Sequence, residues 1–337
     1  MSRHINIPIF IPHLGCPNQC VFCNQRIISG RISFDESGVQ REIEQALSTV
    51  GPEDECEIAF FGGSFTGIDR DLMIRLLEIG KGYIDKGMVK SLRCSTRPDY
   101  INDEILSILK EHGVKTVELG LQSCNDQVLK VTKRGHTSQA GALASRLVKE
   151  WGFELVGQMM IGLPGSSIDT ELETARRLVE WGCDGARIYP TVVFKDTELA
   201  DMLGDGEYTP LSIDDAVRRS AEVLYYLTSR GVRVIRIGLC SSENLSSDTT
   251  YLAGPNHPAL GELVEGRIYY DRVREQTYKV TASGATASIS VPRGELSKAI
   301  GQKRCYKEML IKEYGFKDIR YSESEALAPY EISFSYT

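Results

Sequence analysis

Short apolar runs alternate along this chain with longer stretches in which apolar residues recur every three or four positions, the rhythm of strands followed by amphipathic helices. The first run, Asn6 to Pro12 (NIPIFIP), is rich in Ile, too short for a helix, and reads as a buried strand. Further strands are predicted at Glu57 to Phe61, Ser91 to Ser95, Thr116 to Gly120, Glu154 to Ile161, Ala186 to Tyr189 and Val232 to Ile237. Helical stretches fall at about 36–49, 69–85, 101–112, 138–151, 168–182 and 212–230. Asp69 and Ser166 are read as helix N-caps. Gly113, Gly152 and Gly231 follow the last periodic residues, where a left-handed C-terminal turn favours glycine. The pattern is that of parallel β/α architecture, and periodicity alone is compatible with an open doubly wound sheet or an incomplete barrel.

Between about 240 and 268 the chain becomes polar and rich in Ser, Gly, Asn and Pro (SSENLSSDTTYLAGPNHPALG), which predicts a long loop of the kind that often belongs to a site. From about 276 the pattern changes. YKVTASG and ASISVP read as short strands, Glu295 to Tyr314 as one helix, and Tyr330 to Tyr336 as a last strand. Three units are therefore expected: a β/α core over 1–240, a loop-rich connection over 241–269, and a small α+β domain over 270–337. No internal repeat or low-complexity segment stands out.

The 337 residues are 42% hydrophobic and 25% charged, an ordinary globular composition that excludes a mainly disordered or fibrous chain. A formal charge of −7 argues against a generally basic, nucleic-acid-binding surface and leaves only a local patch for such a partner. No apolar run reaches the length of a membrane span, so no membrane partner and a cytoplasmic location are expected. The nine cysteines are odd in number and unevenly spaced, which is not a disulfide framework. Cys56, Cys94, Cys124, Cys183, Cys240 and Cys305 are scattered and read as buried small hydrophobes. Cys16, Cys20 and Cys23 are bunched in GCPNQCVFCNQ, just beyond the first strand. Three nearby thiolates can hold three irons of a cubane and leave the fourth open. Two alternatives are structural zinc, completed by His13 or a distant cysteine, and unligated core cysteines.

The spacing Cys-x3-Cys-x2-Cys, with Phe22 before the last cysteine, resembles the signature of the radical S-adenosylmethionine superfamily. FFGGSFTG, STRPD, VELGLQS, LKVTKRGHT, GQMMIGLPG and ARIYPTVVFKDTEL follow in order over roughly residues 5–240 and are similar to the Elp3-like and YhcC-like group, more distantly to the anaerobic coproporphyrinogen oxidase group. The resemblance implies an α/β fold: a partial (β/α)6 radical-SAM-type barrel with a small C-terminal α+β appendage. It also implies a [4Fe–4S] cluster on Cys16, Cys20 and Cys23 that binds S-adenosyl-L-methionine and yields a 5′-deoxyadenosyl radical for hydrogen abstraction. Flavodoxin or a ferredoxin-type electron donor becomes an expected partner.

Carried over residue by residue, the resemblance assigns cofactor binding to Phe22, Gly62, Gly63, Ser64, Glu118, Gln122 and Arg134. Gly62 and Gly63 can bring bare backbone close to a ligand or simply make a tight turn. Glu118, at the end of its predicted strand, can accept from ribose hydroxyls or be an ion-paired strand-end acid. Gln122 matches a position near the ribose or is a turn hydrogen bond. Arg134 suits a carboxylate through its rigid fork or is ordinary surface charge. Arg97, Gln158, Tyr189 and Lys195 are candidates to face substrate, with loop anchoring (Arg97) and packing as the other readings.

The Elp3 likeness points to transfer RNA modification, but a counterpart of the Elp3 acetyltransferase domain is not seen, so acetyl-CoA chemistry is not carried over. A small metabolite or tetrapyrrole is the alternative substrate, and a non-catalytic zinc-containing RNA-binding protein is the reading from another class. In residues 291–320 eight Lys or Arg face four Asp or Glu, and Gly301, Lys303 and Arg304 vaguely resemble the Gly-x-x-Gly loop of KH modules, with Arg304 in place of the second glycine. RNA is a candidate partner of this basic segment, and a solvated helix face or a docking tail is the other reading.

Overall fold

The computed structural model describes residues 4–12, 14–17, 20–25, 27, 33–51, 53–239, 250–277 and 284–337. His13, Cys240 and the predicted YKVTASG strand except Gly284 lie outside them.

The strand and helix rhythm of the sequence becomes β1 (His4–Phe10), α1 (Val39–Leu47), β2 (Glu55–Phe61), α2 (Arg70–Asp85), β3 (Ser91–Thr96), α3 (Asp103–Glu111), β4 (Val114–Gln122), α4 (Asp126–Val131), α5 (Ser138–Glu150), β5 (Glu154–Ile161), α6 (Ile168–Glu180), β6 (Gly185–Pro190), β7 (Val193–Phe194), α7 (Glu198–Gly204), α8 (Ile213–Thr228) and β8 (Arg233–Ile237). Asp69 caps α2 by accepting from the Leu72 N–H. The cap of α6 is Ser167, not Ser166, whose hydroxyl donates to Glu171 instead. Gly113, Gly152 and Gly231 have φ of 80°, 79° and 80°, the left-handed turns expected after their helices.

Seven strands form one sheet in the order β1-β2-β3-β4-β5-β6-β8, every pair parallel. The order follows the chain without reversal, which a doubly wound sheet does not. Inner residues of both edge strands, Asn6 on β1 and Arg236 on β8, line one cavity, so the sheet is curled into a half-barrel. Between the sheet and its helices lies the main core, from Ile7, Ile9 and Ile58 through Val117, Leu155 and Ile188 to Leu224 and Val264. All strands run the same way, so their C-terminal ends, Phe10, Phe61, Thr96, Gln122, Ile161 and Pro190, gather at one rim, where barrel enzymes carry their sites.

The tail holds β9 (Tyr251–Ala253), α9 (Leu260–Thr277), β10 (Thr286–Pro292), α10 (Leu296–Ile300), α11 (Cys305–Tyr314), β11 (Asp318–Ser324) and β12 (Ser333–Tyr336). Three features depart from the sequence reading. The stretch expected to be loop up to about 268 contains β9 and the start of α9, which continues past residue 270. The expected helix Glu295–Tyr314 is broken at Gly301, Lys303 and Arg304, with φ of 80°, 50° and 65°. A strand, β11, was not foreseen; it pairs parallel with β10, while β12 is antiparallel on the other side. This small sheet encloses a second core with Tyr269, Tyr270 and Val273 of α9. No helix among the described residues is long and apolar enough to cross a membrane.

Candidate active site at the rim of the half-barrel

The cysteine loop leaves β1 and locks into the turn after β2. Ile11 N–H donates to the Phe61 carbonyl and Ser64 N–H to the Leu14 carbonyl. A Cβ on Gly15 would stand 2.2 Å from the Ser64 carbonyl oxygen, and one on Gly63 would stand 2.3 Å from that of Leu14. Glycine is thus required at both positions by the meeting of the two backbones. Ser64 is fully buried; its hydroxyl bonds the Thr96 hydroxyl at 2.8 Å and accepts from the Arg97 N–H.

Cys20 is buried, and Cys16 and Cys23 are half-buried. Burial pushes the Cys16 thiol up while Arg134 and Arg97 pull it down; burial and the neighbouring Cys20 push Cys23 up to about 12. Arg134 is buried behind the loop, its Nη1 3.2 Å from Cys20 Sγ and its Nη2 donating to the Gly120 carbonyl at 2.5 Å. Among the described residues, no three His, Cys, Asp or Glu side chains are drawn into a metal-binding group.

Several buried polar atoms near this loop have no hydrogen-bond partner among the described residues: Arg97 Nη1, Gln122 Oε1, Arg134 Nε and His136 Nε2. Gln122 and Arg134 both approach Gly120, and His136 senses the Arg134 and Arg97 charges. Burial, reinforced by those two cations, pushes the His136 imidazole down to about 4. Gln122 ends β4 with a φ of 66°, beside a register shift against β5, a strained conformation of the kind that collects at functional sites.

Inside the curl lies a cavity of about 400 Å³. It brings together Phe22, Cys23, Gly62, Glu118, Gln122, Gln158 and Tyr189 of the expected site residues. Glu118 is fully buried in the middle of β4, which runs on to Gln122, and so is not at the strand end. Its carboxylate accepts from Arg93 Nη1 (2.9 Å), Arg187 Nε and Nη2 (2.7 and 2.9 Å) and Gln158 Nε2 (2.9 Å). Burial pushes the Glu118 carboxyl up, but Arg187, Gln158 and Arg93 outweigh it and hold it below the usual range. Arg93 also donates to Glu57 through Nε and Nη2 (2.9 and 2.6 Å), extending the lattice from β2 to β6. Arg97 is buried with both Asp99 oxygens on its Nε and Nη2 (2.9 and 2.8 Å), the loop-anchoring arrangement, and is absent from the cavity lining. Lys195 is exposed outside that lining.

Sequence reasoning passed over Arg93, Arg187, His136, Asn6 and Arg236. The signal for the arginines was available: a charged residue inside an otherwise apolar strand, SLRCST or ARIYP, must find a partner when buried.

Residues 10–178 match the family described as the Radical SAM superfamily. The chain belongs to the radical SAM superfamily. Residues 183–270 match the Radical_SAM C-terminal domain, so this radical SAM protein carries the superfamily's catalytic domain followed by its associated C-terminal region. It is 29% identical over 245 residues to the tRNA uridine(34) acetyltransferase of Methanocaldococcus infernus, covering 66% of this chain and 44% of that protein. It is 29% identical over 218 residues to human Elongator complex protein 3, covering 59% and 40%. The match thus spans less than half of either relative, and the expected Elp3-like homology is borne out. In fold it resembles archaeal Methanocaldococcus infernus Elp3 with an N-terminal deletion (1–46), at a TM-score of 0.61 and 24% identity over 82% of this chain and 64% of that one. Streptococcus suis SuiB bound to S-adenosylmethionine shares the fold at a TM-score of 0.51 and 15% identity, over 72% and 52%.

The rim residues fit the group that the superfamily name implies. Cys16, Cys20 and Cys23 are free thiols on one loop, the donor type an iron–sulfur cluster takes, and the Arg134, Arg97, Gln122 and His136 atoms without partners among the described residues offer donors and acceptors to a polar ligand.

Proposed function

We propose that the protein is a [4Fe–4S]-dependent radical S-adenosylmethionine enzyme that acts in transfer RNA modification. The observation that carries this reading is the thiol loop interlocked with the Gly62–Gly63 turn, set beside a cavity and ringed by buried polar atoms without partners. Cys16, Cys20 and Cys23 would hold the cluster. Arg134, Gln122 and the Gly62–Ser64 turn would bind S-adenosylmethionine. When bound, the pair supplies a 5′-deoxyadenosyl radical for hydrogen abstraction from substrate.

This chain's residues bind, orient and exclude water. Arg134 offers a charge-assisted grip on a carboxylate, and Phe22, Phe10 and Phe61 make the cavity wall apolar, which shields a reactive intermediate from competing donors. Gln158, Tyr189 and Met160 face the cavity and are proposed to contact substrate. Glu118, with both oxygens engaged, holds Arg187 and Gln158 in place; any ribose contact by Glu118 has to share those oxygens. The name of one relative, a tRNA uridine(34) acetyltransferase, supports transfer RNA as substrate. The 301–304 turn supports an RNA contact in the tail: Gly301 and Arg304 keep left-handed backbone, and no acid among the described residues pairs with Lys303 or Arg304. A flavodoxin or ferredoxin-type donor and a cytoplasmic location complete the proposal, with 1–240 as core, 241–269 as connection and 270–337 as tail.

The test is anaerobic reconstitution with iron and sulfide, reduction, addition of S-adenosylmethionine and mass-spectrometric detection of 5′-deoxyadenosine, with Cys20→Ala as control. Product from the native protein and none from the variant is expected. Tight zinc with no cluster overturns the reading.

A further inference from the structure

On the inner face of the sheet, Arg187 of β6 and Arg236 of β8 are direct cross-strand partners, and both line the cavity. Like charges placed opposite each other in this way repel. Arg187 is neutralised by the fully buried Glu118. Arg236 is not: its Nε and Nη2 donate to the carbonyls of Gly238 and Leu239 at 3.1 and 3.2 Å, and no acidic side chain among the described residues pairs with it. The paired charges of the interior, Glu57, Arg93, Glu118 and Arg187, cancel, so among the described residues Arg236 leaves the cavity wall with one uncompensated positive charge.

Arg236 also borders a second, smaller hollow. That hollow, about 80 Å³, shares Pro190, Val192, Arg236 and Leu239 with the main cavity and is also lined by Asn256 and His257. Its volume is that of two or three waters at about 30 Å³ each, the scale of one tetrahedral oxyanion. His257 Nδ1 accepts from the Ala259 N–H, which leaves the proton of a neutral imidazole on Nε2 as a donor. A cation, an imidazole N–H donor and an amide around a small polar space, open to a larger cavity with apolar and aromatic walls, match an organic body that carries one phosphate.

We infer that the hollow bounded by Arg236, Asn256 and His257 seats a phosphate group of the substrate, whose base and sugar extend into the main cavity. The inference rests on the reading above only in taking the substrate to be a nucleotide.

Calorimetric titration of the full chain with uridine 5′-monophosphate and with uridine tests it. The monophosphate is expected to bind about tenfold or more tightly than the nucleoside, the scale of a hydrogen bond to a charged group. Arg236→Lys keeps part of that gap, and Arg236→Gln closes it without changing uridine binding. His257→Ala, another residue of the lining, narrows the gap and serves if Arg236→Gln does not fold. Equal affinities in the native protein, no binding of either ligand at millimolar concentration, or a gap that the folded variants leave intact overturns the inference. Formation of 5′-deoxyadenosine is scored separately: a protein that makes it yet shows no phosphate preference loses this inference alone, and one that makes none yet keeps an Arg236-dependent preference loses only the radical reading.

Discussion

Within the curl of the sheet, Glu57, Arg93, Glu118, Arg187 and Gln158 satisfy one another, and both Glu118 oxygens accept two hydrogen bonds. At and just beyond the strand ends, Arg97, Gln122, Arg134 and His136 each leave a buried polar atom without a partner among the described residues. The two regions are neighbours, similarly buried and similarly polar. A buried ion lattice survives when every member is bonded, since the desolvation of each charge is offset by its neighbours. An unsatisfied buried polar atom costs about 1–3 kcal/mol, and a cluster of them is retained where a ligand completes it. The first region is held by its own bonds, and the second is where the proposed cofactor would supply the missing ones.

The contrast breaks first at Glu118. Replacing it by Ala leaves Arg187 without a counter-ion and Arg93 with half of its partners, and is expected to cost about 3–5 kcal/mol of stability in urea unfolding. A loss below about 1 kcal/mol means that the lattice is not structural.

Arg134→Met probes the other region and should reverse the pattern. Unfolding free energy falls by about 1–2 kcal/mol, for the lost bond to Gly120 and its packing, while S-adenosylmethionine affinity in equilibrium dialysis drops at least about tenfold. A variant that unfolds yet still binds when folded removes Arg134 from the binding region.

His136 sharpens the comparison through pH. Its folded pKa, about 4, lies below the unfolded value of 6.5, so the unfolded chain takes up the proton first. The contribution is fully present above pH 6.5 and is lost as pH falls toward 4. His136→Asn is expected to flatten that limb of the stability profile, read by denaturant titrations at several pH values. An unchanged limb shows that Asp99, or solvent entering beside Arg97 and Arg134, lets the imidazole ionise in place.

The smallest effect sets the scale for both regions. Ser167→Ala removes an ordinary helix cap that bonds to neither set of residues, and should cost about 1 kcal/mol in the same unfolding assay.

The alternation of strands and helices was legible because each strand is a short apolar run and each outer helix buries one stripe, both local signals, whereas the choice of a half-barrel over a doubly wound sheet came from the family resemblance. Ser166 and Ser167 are adjacent hydroxyls, and only the backbone could decide which one caps α6. Helix α9 was hidden because it is buried on several sides: Leu260, Val264 and Ile268 enter the main core, while Tyr269, Tyr270 and Val273 enter the tail's. Its apolar residues therefore form no single stripe. β11 was missed because DIRYSES, at the edge of its sheet, buries only Ile319 fully. In the site, the cysteines, the glycines and Arg134 were readable as motifs. The lattice was not, because Glu57, Arg93, Glu118 and Arg187 meet through strand register over separations of up to 69 residues.

That double burial gives α9 a mechanical meaning. Its 18 residues make a rod about 27 Å long, shared by two hydrophobic interiors, with neither holding enough of it to call it its own. The tail cannot melt by itself without loosening a helix that also props the last strands of the half-barrel. Heat should therefore register as one concerted transition across the chain, and a cut between Thr277 and the tail sheet should lower the melting point of the catalytic half as well.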